Sequence, residues 1–310
     1  MPDGPPPYRQ YAGLALVILA YVGGILGWSW AVWQIESSSP PADSARAQAA
    51  HFRVAEAAVE APPSPDSTRH ATFERLLDRF VDAQGDVDYA ALQRQAGSVL
   101  APYLQTLADT RPSMLDREAR LAFWINAYNA YTLKLIVDHY PVVSIRDIDG
   151  PSGGGTPFER PVGPVADTVR TLDEIEHEII RERFDEPRIH FALVCAAKSC
   201  PRLRQEAYTG AQLDAQLDAQ ARRFLHDDQK NHIPAPDGTL ALSRILKWYG
   251  EDFGPTPAAL QRALASYFEG SVRDSLAHGA YTIRYRPYDW TLNASSLDRG
   301  NGDLEGAAGP

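Results

Sequence analysis

Twenty-three consecutive residues without a charge, YAGLALVILAYVGGILGWSWAVW at positions 11–33, set the layout of the rest of the chain. At about 1.5 Å of rise per residue, such a run matches a hydrocarbon core of about 30 Å. Trp28, Trp30 and Trp33 gather at its far end, where an aromatic belt meets the membrane interface. Arg9 and the amino terminus precede it, while Glu36 and Asp43 come before the next basic residue, Arg46. The positive-inside rule therefore predicts a cytoplasmic tail over 1–10, a single-pass signal anchor over 11–33 and everything later on the periplasmic or extracellular side. The alternative is a leader cleaved near Ala45-Arg46-Ala47, but the apolar run is long for one. Residues 34–68, rich in Pro, Ala and Ser, read as a flexible tether.

Globular patterning fills residues 69–293. Phe73, Leu76, Leu77 and Phe80 recur at helical spacing, and DREARLAFWINAYNAYTLKLIVDHYP carries the longest helical period before Pro141 ends it. TLDEIEHEIIRERF predicts another helix, with Thr171 as its cap and acids in its first turn. IHFALV, bounded by turn signals, predicts a short buried strand. NHIPAPDGTLALS predicts a hairpin around Asp237-Gly238, and AYTIRYRPYDWTLN a closing strand. Residues 294–310 read as a disordered tail. The mixed order of elements indicates an α+β domain. Forty acidic against 30 basic residues, a net charge of −10, argue against a nucleic-acid surface.

Both cysteines of the chain fall in IHFALVCAAKSCPRL, residues 189–203. Five positions apart, they admit a nucleophile with a neighbour, a disulfide, part of a metal site, or two buried thiols. The spacing is not that of a standard zinc pair and further ligands would be needed, so no metal and no cofactor are expected. Cys200 stands before Pro201, a residue suited to the first turn of a helix, where backbone N–H groups would favour a thiolate. Cys195 ends the apolar run and borders the core or the site. An exported compartment would permit a Cys195–Cys200 disulfide, which closes only a small loop.

A thiolate nucleophile needs a base held by an acid. A straight strand would separate His190 from Cys195 by about 16 Å, but the turn before Cys200 can double back. If the helix carrying Glu176 runs antiparallel to the strand, Glu176 and His190 lie level, about 13 Å from their shared turn. The lead arrangement is thus Cys200 as nucleophile, His190 as base and Glu176 as orienting acid, with His177 the alternative base because neighbours on a helix point about 100° apart. Asn126 and Asn129 share a helix face and would either brace a loop or orient substrate and an oxyanion. Cys195, Lys198, Ser199 and Arg181 complete the candidate substrate-binding set, Lys198 and Arg181 for a carboxylate. Tyr288, Asp289, Trp290 and Asn293 would wall the same cleft.

FWINAYNAYTLKLI, TLDEIEHEIIR, IHFALVCAAKSCPRL, LSRILKWYGEDF and YDWTLN, in this order over roughly residues 70–293, together resemble the domain-of-unknown-function family 547. The resemblance implies a compact, helix-rich α+β domain with a small antiparallel sheet, likened to papain-type cysteine hydrolases. The family's characteristic residues fall on Asn126, Asn129, Glu176, His177, His190, Cys195, Ser199 and Cys200. The expected function is therefore a membrane-anchored, exported cysteine hydrolase or acyl transferase acting on a small peptide or amide. The alternatives are a ligand-binding or scaffolding cleft without chemistry, and a thiol redox protein.

Overall fold

A computed structural model describes residues 65–151, 154–234 and 238–295. The expected anchor at 11–33, its tether and the tail after Ser295 lie outside these residues. Among the described residues no helix is long and apolar enough to cross a membrane.

Three helices open the domain: α1 (Pro65–Phe80), α2 (Tyr89–Val99) and α3 (Ala101–Asp109). Asp88 caps α2 by accepting from the Ala91 N–H. The turn between α1 and α2 needs Gly85, whose φ is +81°; a Cβ there would sit 2.7 Å from the backbone nitrogen of Leu203. Next comes α4 (Arg117–His139), capped by the Asp116 carboxylate on the Ala119 N–H. From Ala119 to Val137 only Arg120 and Lys134 escape burial, so α4 is the axis around which the larger apolar cluster packs.

Strands β1 (Pro161–Val165) and β2 (Thr168–Thr171) form an antiparallel hairpin across Ala166 and Asp167, both at positive φ (52° and 61°). Two positive-φ residues are what a type I′ turn requires. This hairpin is the small antiparallel sheet expected of the fold. Thr171 then caps the next helix as expected: its hydroxyl accepts from the Glu174 N–H, and the Glu174 carboxylate accepts from the Thr171 N–H. That helix, however, is wound as a π-helix from Glu174 to Arg181.

The strand expected over IHFALV is not formed. Pro187–Phe191 is a 3-10 turn, continued by Ala192 and Leu193, whose N–H groups both reach the Ile189 carbonyl. Among the described residues the run pairs with no strand; its backbone is satisfied by the 3-10 turn and by the Asn129 and Gln220 side chains, which take up Phe191, Ala192 and Val194. The remaining elements are α5 (Leu213–Leu225), β3 (Leu240–Leu242), α6 (Ile245–Trp248), α7 (Gly250–Phe253), α8 (Pro257–Leu264), α9 (Gly270–Ala277) and β4 (Ile283–Tyr285). β3 and β4 pair in parallel, and His232 bridges Ala241 antiparallel, the outer pairing of the expected hairpin, whose tip at 235–237 is outside the described residues. A second apolar cluster gathers Phe191, Phe224, Leu242, Leu246, Leu264 and Leu276. Beyond β4 the closing segment laces onto the cysteine loop: the N–H groups of Lys198 and Ser199 donate to the carbonyls of Thr291 and Asp289.

Candidate functional site

One cleft gathers residues from several elements of the domain. α4 supplies Tyr128, the start of the π-helix Asp173, Glu176 and His177, and the 3-10 turn His190. Trp248, Tyr249, Tyr288 and Trp290 add an aromatic lining, and Cys195 and Cys200 line the cleft too. The cleft holds about 530 Å³ of empty space, counting the part open to solvent.

His190 is the fixed point of the site. Its side chain is 1% exposed, and its Nε2 lies 2.6 Å from Asp252 Oδ2. Arg181 grips the same carboxylate with two bonds, Nε to Oδ2 at 2.8 Å and Nη2 to Oδ1 at 2.7 Å. Burial alone would raise the Asp252 carboxyl, but the hydrogen bonds and charges of His190 and Arg181 outweigh it and hold the group well below the usual carboxylate range. Because a carboxylate only accepts, an ionised Asp252 places a proton on His190 Nε2. The ring also stacks on Tyr249, centroids 4.0 Å apart and 13° from parallel.

This corrects the expected triad. Glu176 does not orient His190; Asp252 does, from α7, 62 residues away in sequence. Glu176 is instead buried beside Tyr128, where burial first, and then the charge and hydrogen bonding of Glu176, push the phenol well above its ordinary value. Glu176 and His177 both line the cleft although they are neighbours, because the wider π-turn reduces the angle between successive side chains. His177 Nδ1 accepts from Arg181 Nη1 at 3.3 Å. Burial is the main influence lowering the His177 pKa, aided by Arg181 and His190 against Glu176 and Asp252. Asp173 lies in the same cleft, and burial, followed by the charges of Glu176 and Glu159, pushes its carboxyl up to about 7.

The free thiolate expected at Cys200 is also corrected: Cys195 and Cys200 are joined in a disulfide. No helix begins at Pro201, so no helix N-terminus stabilises the sulfur. Other donors do. The Cys195 N–H lies 3.0 Å from Cys200 Sγ, and the Tyr288 hydroxyl lies 3.2 Å from Cys200 Sγ and 3.3 Å from Cys195 Sγ. Ala196, at φ 58°, turns the chain sharply after Cys195 and lets the loop close.

The remaining candidates are engaged elsewhere. Asn126 donates to the Tyr208 carbonyl and accepts from its N–H, and Asn129 does the same between Ala192 and Val194. Both amides are consumed in bracing loops, because a buried amide left unpaired would cost more than the loop contact. Lys198 pairs with Asp86 at 2.6 Å, Arg181 is committed to Asp252, and the Ser199 hydroxyl accepts from the Asp289 N–H. None of the three lines the cleft. Tyr288 and Trp290 do wall it, whereas Asn293 is buried on the Tyr89 hydroxyl. Asp252 and Tyr249 lie in the segment LSRILKWYGEDF, in which no local pattern distinguishes Asp252 from the adjacent Glu251.

No curated protein and no solved structure matches the chain. Residues 112–225, which hold α4, the π-helix, His190 and both cysteines but stop short of Asp252 and Tyr288, match the family model described as "Protein of unknown function, DUF547".

Proposed function

We propose that the cleft is the reaction site of a cysteine-dependent amide hydrolase or acyl transferase acting on a small peptide or amide. Cys200 is the nucleophile, His190 the base and Asp252 the orienting carboxylate. The observation that carries this reading is the 2.6 Å His190–Asp252 contact, which anchors by one nitrogen a ring lining the same cleft as Cys200. The donors on Cys200 Sγ, the Cys195 N–H and the Tyr288 O–H, would favour a thiolate there once the disulfide is opened. The likeness to papain-type enzymes is part of this proposal, and its support is the Cys–His–carboxylate grouping rather than the fold.

The chemistry begins with a dithiol reductant, which delivers two electrons and two protons to the Cys195–Cys200 bond and itself becomes a disulfide. His190 Nδ1 takes the Cys200 proton, and the thiolate adds to the amide carbon. Collapse expels the amine, which receives that proton, and leaves a thioester. Water or an acceptor amine then attacks the thioester carbon and releases the thiolate. Residues 11–33 are read as the membrane anchor that carries the domain outside the cytoplasm, where a disulfide is readily kept. Protease treatment of intact and permeabilised cells tests this, with cleavage of the domain from the outer face as the expected result.

Alkylation of the reduced protein by iodoacetamide across pH, mapped to each cysteine by mass spectrometry, tests the enzyme reading. Cys200 is expected to react with an apparent pKa well below the roughly 8.5 of an ordinary thiol. His190→Gln and Asp252→Asn should move it back up. The closed disulfide favours a second reading, a ligand-binding cleft without covalent chemistry. Two thiols that titrate ordinarily would remove the first reading and keep the second.

A further inference from the structure

Resting on the proposed reaction site, we infer that the cleft selects a substrate bearing a cationic amine, held between the Asp173 and Glu176 carboxylates and the aromatic wall of Trp248, Tyr288 and Trp290. Charge in the cleft is one-sided. Asp173 and Glu176 line it, and among the described residues no lysine or arginine does. Of the guanidiniums beside lining residues, Arg181 is committed to Asp252 through both oxygens of that carboxylate, and Arg146 lies over Trp290. Asp173 carries the consequence: it sits half-buried, with burial and the charges of Glu176 and Glu159 against it and no hydrogen bond in relief. Two acids that cannot comfortably both ionise are what a ligand cation would relieve.

The aromatic lining suits the same ligand. The rings of Trp248 and Tyr288 are 4.8 Å apart, Tyr288 and Trp290 4.6 Å, and Trp248 and Trp290 5.9 Å. Such a cluster presents electron-rich faces to a cation. One face is already used in this way, with the Arg146 guanidinium 5.2 Å from the Trp290 centroid. His190 gives an independent sign that the cleft is built for a ligand. It is 3% exposed and lines the cleft, yet among the described residues its ring is hydrogen-bonded only through the Nε2 contact with Asp252. The arrangement places an ammonium near the carboxylates and an amide within reach of His190 and the sulfurs. The substrate class is thus a peptide or amide with a free amino group close to the reacting bond.

Binding can be tested without any thiol chemistry, on the oxidised protein. Benzylamine, benzyl alcohol and benzoate share a ring and differ in charge, and their affinities can be compared by titration calorimetry at pH 7.5. Benzylamine should bind at least tenfold tighter than benzyl alcohol, and benzoate most weakly. Asp173→Asn should abolish most of that preference, and Glu176→Gln provides a second variant if the first does not fold. Equal affinity for benzylamine and benzyl alcohol, no binding of any of the three, or a preference that survives in a folded variant would overturn the inference. Because the disulfide stays closed, this outcome is independent of whether Cys200 proves reactive.

Discussion

Asp173, which lines the cleft, and Asp252, which holds His190 from behind it, respond to folding in opposite directions. Asp173 is pushed up to about 7 in the folded protein, chiefly by burial, from an unfolded value near 3.8. Its contribution is full below pH 3.8 and is lost as pH rises through 7, so it destabilises the fold at neutral pH. Asp173→Asn should therefore leave stability nearly unchanged at pH 4.5 and raise it by about 1–2 kcal/mol at pH 8, a figure discounted for solvent access. Urea unfolding at the two pH values measures the difference. Asp252 has the reverse sign: its carboxyl is lowered, so its stabilisation is present above the unfolded carboxylate value and is lost as pH falls toward the folded one. Asp252→Ala strands Arg181 and His190 together and should cost about 2–4 kcal/mol at pH 7, shrinking in acid.

At the level of elements, α4 is both core and clamp. Its apolar faces fill the larger cluster, while Asn126 and Asn129 hold the loops at Tyr208 and at Ala192–Val194 that lead to and from the cysteines. Asn126→Ala or Asn129→Ala should each lower stability by about 2–3 kcal/mol, because each leaves buried backbone groups unpaired. Denaturant midpoints at constant slope would check this. The helical elements were readable from the sequence where an apolar period ran between a cap and a breaker, as from Asp116 to Pro141. The π-winding was not readable, since Ile175, Ile179 and Ile180 keep an ordinary apolar spacing. Nor was the β1–β2 hairpin, whose turn is Ala166-Asp167 rather than a glycine-bearing pair. The short apolar run IHFALV read as a buried strand but forms a 3-10 turn, because periodicity alone does not separate a short strand from other buried segments.

For the molecule as a whole, the disulfide is a local tie. It closes a loop of six residues, so reduction should cost about 2 kcal/mol or less and leave the far-ultraviolet circular dichroism unchanged. Loss of the folded signal on reduction would instead make the bond the keystone of the domain. The sequence pointed to the cysteines, His190, Glu176 and the aromatic wall because they sit in dense, recognisable blocks. It did not pair His190 with Asp252, since nothing local records which of many acids a fold returns to a histidine 62 positions away. Tyr288 packs against both apolar clusters while its oxygen touches both sulfurs. A single atom therefore divides two jobs: Tyr288→Phe would keep the rivet between the two clusters and silence only what the phenol says to the cysteines.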